Sequence, residues 1–278
     1  MSKVSIIIPC FNAGDQLIEA VQSALAQTCP GLDVVVVNDG STDARTLEVL
    51  AGLTDPRVRV IHQANAGPAA ARNRAVEAAT GEFILPLDAD DKFDPTYAAK
   101  ALAVMQQRPD VGIVYCDAMK FGAATGIWQL PAYSVREMVI DNVIFCSSLF
   151  RKADWAAVGG YNEKLRHGME DYAFWLKLIA LGRDVVKLQE PLFFYRIQAS
   201  SRTTRFMEDN STVVATYAEI FRSNLDFFAR HAECLFEHRF RLYRDVDHFR
   251  HRYGKLDRVV ERSRWIKAAG RWLSGLVR

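Results

Sequence analysis

The sequence predicts an α/β fold: a mostly parallel central sheet covered by helices, followed by a helical C-terminal extension. Three observations predict it. VSIII (4–8) and VVVVN (34–38) are continuous β-branched runs, the pattern of strands buried on both faces. Helix-length segments separate these runs from one another and from later ones, as parallel strands require. Polar clusters follow three of the strands, at the sheet edge where such folds bind ligands.

The elements follow in order. Leu17, Ile18, Val21, Ala24 and Leu25 recur at helical spacing between the first two strands. VRVIH (58–62) reads as a third strand, after which Pro68 opens an Ala-rich helix to about Ala79. Proline suits a first helical turn because its missing N–H has no partner there anyway. FILPL (83–87) is a fourth strand, Pro95 starts a helix to about Gln107, and VGIVYC (111–116) is a fifth strand. From 120 to 200 the pattern loosens. Its clearest part is a helix opened by Asp171 and Tyr172, with Phe174, Trp175, Leu178 and Leu181 as its apolar stripe and Gly182 as its stop. A strand pair, DVVKL and LFFYRI, then precedes an all-helical tail. There is no internal repeat and no low-complexity segment.

At 278 residues and 50% apolar composition, the chain can bury a sizeable core. No run of about 18 uncharged apolar residues exists, so no membrane-spanning helix is expected. The N-terminal apolar run reaches Pro9 without a small-residue cleavage site and reads as a first strand, not a signal peptide. Five scattered cysteines without a C-x-x-C pair point to reduced thiols in the cytoplasm, with neither disulfides nor zinc. The net charge of +2 conceals an asymmetry. Residues 202–278 hold 16 Lys/Arg against 10 Asp/Glu, a net of +6, which leaves 1–201 at −4. An acidic body and a basic tail do different jobs.

The acidic cluster LDADD (87–91) ends the fourth strand. Its carboxylates suit a hard divalent cation, Mg²⁺ or Mn²⁺, which with one or two protein carboxylates usually also holds phosphates. A solvated acidic turn ahead of Pro95 would use the same residues. NDGSTD (38–43) is ordinary turn and helix-cap chemistry. Alternatively, Asp39 accepts a hydrogen bond from the imide N–H of a base such as uracil. Arg72, which with Asn73 lies one turn into the helix opened by Pro68, is either a surface helix residue or, if the helix faces the rim, a cation near a nucleotide. Glu170 and Asp171 start a helix, where the macrodipole favours acids with or without chemistry.

VSIIIPCFNAGDQLIEAVQSALAQ, VVVVNDGSTD, NAGPAAARN, FILPLDADD, VGGYNEKLRHGMED and YRIQASS occur in this order at plausible distances. Together they resemble the family 2 glycosyltransferases of the GT-A fold, inverting enzymes that use nucleotide-diphosphate sugars. The resemblance covers residues 3–201. It implies a transferase domain over 1–201, nucleotide-binding in 1–117 and acceptor-binding in 118–201, with 202–278 as a basic helical extension. It places Pro9, Phe11 and Asn12 around the nucleotide, Asp39 on the base and Arg72 as the cation of the pocket. Asp88, Ala89 and Asp90 form the D-x-D, with Asp88 on the ribose and Asp90 on the metal-bound diphosphate. Asp171 becomes the catalytic base, with Glu170 beside it. Tyr195 and Arg196 begin a Y-R-x-H segment in which Gln198 stands where His is common, so that loop offers a phosphate contact in place of a metal ligand.

The implied reaction transfers a hexosyl or N-acetylhexosaminyl group from a UDP sugar to a saccharide or lipid-linked hydroxyl, with Mn²⁺ or Mg²⁺. Thymine presents the same edge as uracil, so a dTDP sugar stays open. The rival from another class is a catalytically inactive saccharide-binding or scaffold protein on the same fold. A Rossmann dehydrogenase would need G-x-G-x-x-G after the first strand, which is absent. The segment 255–278 carries seven Lys/Arg, two acids and Trp265 and Trp272. It reads either as a helix packed on its own protein or as a peripheral contact with the inner face of the cytoplasmic membrane. Nothing calls for nucleic acid, and a homo-oligomer stays open.

Overall fold

Four parallel strands build the first half of the sheet. The computed structural model describes residues 4–198 and 202–262. In it β1 (Val4–Cys10) lies between β2 (Leu32–Asp39) and β4 (Phe83–Pro86), with β3 (Val58–Gln63) outside β2. Ile6, Ile7 and Ile8 of β1 and Val34 to Val37 of β2 are wholly buried, as the β-branched runs require. Helices α1 (Gln16–Leu25), α2 (Ala44–Ala51) and α3 (Pro68–Ala78) connect these strands. Of these, α1 buries Leu17, Ala20, Val21 and Ala24, and α3 packs on β1 and β2. Pro68 follows Gly67, whose φ of 95° strains any residue with a Cβ.

The second half is mixed. It contains β5 (Lys92–Phe93), α4 (Tyr97–Gln107), β6 (Val111–Gly122), β7 (Gly126–Trp128), α5 (Val135–Ile140), β8 (Leu149–Arg151), α6 (Lys152–Ala157), α7 (Glu170–Ala180) and β9 (Asp184–Ile197). The sheet order is β3-β2-β1-β4-β8-β6-β9-β5, with β7 on β6. The sheet is parallel as expected as far as β4. Beyond it, β8 is antiparallel to both β4 and β6, a strand too short to show a period in the sequence. Two antiparallel steps restore direction, so β6 and its parallel neighbour β9 run with β1 to β4. Their carboxyl ends therefore share one rim.

DVVKL and LFFYRI, expected as a pair, form the single strand β9. The QEP between them is absorbed as a bulge: Pro191 stands opposite Asp117, with register shifts on either side. In α7, Phe174, Trp175 and Leu178 are buried, whereas Leu181 caps the helix and is exposed.

The boundary at 201/202, where the resemblance stops and the charge changes sign, differs from the division by packing. The first compact unit, Met1–Arg230, includes α8 (Arg202–Glu208), α9 (Asn210–Ser223) and α10 (Leu225–Arg230). Helices α9 and α10 pack against α7 and bury Ile220, Phe227 and Phe228, an apolar pattern that a charge count does not weigh. The second unit, His231–Arg278, begins with α11 (Ala232–Arg262). The basic segment 255–278 lies outside the described residues from 263 onward. Among the described residues no helix is long and apolar enough to cross a membrane.

Candidate active site

Residues after β1, β2 and β4, at the end of β9 and at the start of α3 line a cleft of about 480 Å³. Pro9, Phe11, Asn12, Asp39, Asp88, Ala89, Asp90 and Gln198 all line it. At one end, the Asp39 carboxyl is 4% exposed and held by neutral donors. Its Oδ1 accepts from Gln63 Nε2 and the Ala66 N–H, each at 2.8 Å, and its Oδ2 from the Gly67 N–H at 2.9 Å. A carboxylate has about four acceptor positions, so about one stays free for a ligand. The turn and helix-cap reading of NDGSTD describes the local structure. Asp43 caps α2 through the Thr46 N–H at 2.7 Å, and Gly40 turns at a φ of 72°. A Cβ at Gly40 would meet the Asn65 nitrogen at 2.7 Å. Asn12, at a φ of 50°, fixes this turn: its Oδ1 accepts from Thr42 and Asp43 N–H at 2.8 and 3.0 Å. Beside it Phe11 is 52% exposed, an aromatic face open to the cleft.

The other end is ionic. Three acids in four residues repel, and part of the compensating charge is arginine. Arg72 is 1% exposed and donates to Asp88 Oδ1 at 2.5 Å and to Glu170 Oε1. Arg202 reaches the same Glu170 oxygen at 3.3 Å. Burial pushes the Asp88 and Glu170 carboxyls up, but Arg72 and Arg202 outweigh it and hold both below their ordinary range. Arg196 supports the turn from β9: its Nε donates to the Asp90 carbonyl at 2.7 Å and its N–H to Asp91 Oδ1 at 2.8 Å. Burial and the neighbouring Asp88 raise Asp90. Burial, Asp90 and Asp88 drive Asp91 well above the carboxylate range. Gln198 Nε2 donates to Asp90 Oδ2 at 2.7 Å.

Asp171 follows Glu170 in the first turn of α7 and accepts from Asn142 Nδ2 at 3.1 Å. Loss of solvent, then the charge of Glu170, pushes its carboxyl up to about 6. Met169 precedes the helix at a φ of 64°, uncommon for a side chain of its size. The N-cap position itself, Met169, makes no side-chain capping bond; the first-turn acids Glu170 and Asp171 accept from the Glu170 and Tyr172 backbone N–H groups and differ in environment.

The expected residues do not all reach the cleft. Arg72 lies beneath it, as a buried link between the D-x-D turn and α7, Glu170 is 1% exposed, and Asp171, beside it on α7, is not among the residues that line the cleft either. Arg166, Asn65 and Arg202 line the cleft although sequence reasoning passed them over. Asn142, the partner of Asp171, carried no local signal either. YRIQASS (195–201) is followed directly by Arg202, so the signal was a basic residue just past a conspicuous segment.

The donor set fits a hard divalent cation. Asp90 offers carboxyl oxygen in a place where burial and Asp88 disfavour its charge, and a cation would relieve that. Asp91 Oδ2 is buried without a hydrogen-bond partner among the described residues. Among those residues no three side chains converge to form an all-protein cage. Mn²⁺ and Mg²⁺ bound with phosphates need only one or two carboxylates.

The sequence profile of glycosyl transferase family 2 matches residues 5–157, ending before the helix that carries Glu170 and Asp171. An uncharacterized glycosyltransferase, YibD of Escherichia coli (strain K12), is 34% identical over 170 residues, 60% of this chain and 46% of its own. The chain thus spans less than half the length of that curated relative. Among solved structures, S. aureus TarS 1–349 in complex with UDP-GlcNAc superposes with a TM-score of 0.62 at 23% identity, over 73% of this chain and 60% of that one. The mannosyltransferase PcManGT from Pyrobaculum calidifontis, in complex with GDP-Man and Mn²⁺, gives 0.57 at 19% identity, over 83% and 75%. Likeness at these identities concerns the fold, which is GT-A.

Proposed function

The chain belongs to glycosyl transferase family 2, and from that premise we propose that it moves a sugar from a nucleotide diphosphate to an acceptor hydroxyl with inversion. The donor is a UDP sugar, the sugar a hexosyl or N-acetylhexosaminyl group, and the acceptor a saccharide or lipid-linked saccharide. The observation that carries this is the division of the carboxyl groups. Asp39 is held by neutral donors with an acceptor position to spare, whereas Asp171, pushed up to about 6, sits on the helix tied through Arg72 to the D-x-D turn.

In this reading the uracil imide N–H donates to Asp39, and Phe11 lies against the base. The donor diphosphate lies at Asp88 to Asp90, with Gln198 and Arg202 beside it. The acceptor oxygen bonds to the anomeric carbon as the bond from that carbon to the diphosphate breaks, and the electron pair leaves with the diphosphate. Asp171 takes the hydroxyl proton; a carboxyl near 6 is mostly ionised at pH 7 yet more basic than an ordinary one. Glu170, already shared by two arginines, positions Arg72 and the helix start and takes no proton. Mn²⁺ or Mg²⁺ on Asp90 would neutralise charge on the leaving diphosphate. Gln198, whose amide nitrogen holds Asp90, contacts phosphate in place of metal, since an amide is the weaker ligand for a hard cation.

The test incubates the full chain with UDP, GDP and dTDP sugars and Mn²⁺, following nucleotide release and melting temperature together. UDP stabilisation with UDP release and an inverted product is expected. Stabilisation by UDP without turnover of any sugar would support the inactive saccharide-binding protein. Stabilisation by GDP and not by UDP would remove Asp39 as the reader of an imide.

A further inference from the structure

Helix α11 spans 31 residues, about 46 Å, and lies in the second compact unit. Its apolar residues are not scattered. Leu235, Leu242 and Phe249 repeat every seven residues, and the sequence continues the series with Leu256. Ala232, Arg239, Val246 and Tyr253 form a second series offset by four, continued by Val260. These are the d and a positions of four heptads, the seam of a coiled coil. Leu242, Val246, Phe249 and Tyr253 are 38% to 57% exposed, so the seam has no cover within the described chain. A second stripe, Phe236, Phe240 and Tyr243, stops at Asp247 and does not keep the repeat.

We propose that α11 is a dimerisation helix that pairs in parallel and in register with α11 of a second copy of this chain. The flanking charges select that occupant. In a parallel pair each g residue faces the e residue five positions later on the partner. Asp245 at g then meets Arg250 at e, an opposite charge. Leucine at three of the four d positions, with valine at two of the five a positions, favours two strands, and Arg239 at a disfavours other registers. An anionic lipid surface is the poorer occupant. Between 232 and 254 five arginines are offset by four acids, and Arg239 lies within the apolar seam.

Sedimentation velocity of the full chain over a micromolar concentration series tests this, with and without phosphatidylglycerol vesicles. A reversible dimer is expected. Asp245→Arg alone should raise its dissociation constant at least about tenfold, because two attractive pairs per dimer become repulsive. Adding Arg250→Asp should bring it back to within about threefold. Leu242→Asp with Val246→Asp should leave a folded monomer whose Met1–Arg230 unit melts as before. A monomer throughout, a trimer or larger species, a dimer indifferent to these substitutions, or a monomer that sediments with the vesicles would each overturn the proposal.

Discussion

At the Asp39 end of the cleft, one carboxyl is held by an amide and two backbone N–H groups, and the turn around it by Asn12 and Asp43. At the Asp88 end, five acids and three arginines crowd together, with Asp90, Asp91 and Asp171 raised and Asp88 and Glu170 lowered. The first arrangement is satisfied before a ligand arrives, so it can select a shape at little reorganisation. The second is partly unsatisfied, with orphaned atoms on Asp91, Glu170 and Arg72 among the described residues. In the proposed function, recognition and chemistry would thus rest on different physics.

Four substitutions sharpen or break that contrast. Asp171→Asn should have the largest effect, a loss of about 10²–10⁴-fold in turnover with donor affinity unchanged, read from nucleotide release beside calorimetric donor binding. The unmodified chain should show the matching pH profile. Protonation removes the base, so kcat/KM should fall about tenfold per pH unit below about 6 and level off above it. A rate kept by the variant with donor binding lost would make Asp171 a sugar contact. Next comes Arg72→Met, which leaves Asp88 and Glu170 without their shared buried cation. Urea denaturation should show a loss of about 3–5 kcal/mol, partly recovered by adding Glu170→Gln.

Asp90→Ala should weaken UDP binding in Mn²⁺ at least about tenfold while leaving metal-free UDP binding nearly unchanged. An equal Mn²⁺ response in both proteins would remove Asp90 as a ligand. The smallest effect belongs to the neutral end. Asn12→Ala loses two acceptor bonds to exposed backbone N–H groups and should cost about 1 kcal/mol in stability. It should weaken UDP binding and leave the pH profile where it was. A shifted profile would mean that the two ends are not separable.

The strands of the first half were legible because double-sided burial needs continuous β-branched runs, and β1 and β2 have them. The cleft residues from Pro9 to Asp90 were legible because each follows a strand, and parallel strands place their ends together. The Arg72 link was not. Helix α3 is rich in alanine and buried on several sides, so its pattern does not say which way residue 72 points. Its partners lie 16 and 98 residues away. Arg202 was assigned to the tail because a charge count sees net sign and not the single acid a side chain meets. Asn142 sits between short elements whose period is too brief to read.

The salt link beneath the cleft also restricts how this sequence can drift. Losing Arg72 strands Asp88 and leaves Glu170 to Arg202 alone, and losing either acid leaves a buried cation with half its compensation. Each single step is therefore costly, although joint replacement by apolar residues of similar volume can be close to neutral for stability. Asp88, Arg72 and Glu170 form one heritable character spread over three codons. A lineage could leave that character only by changes that arrive together, or by passing through an intermediate that a stabilising change elsewhere has already made tolerable.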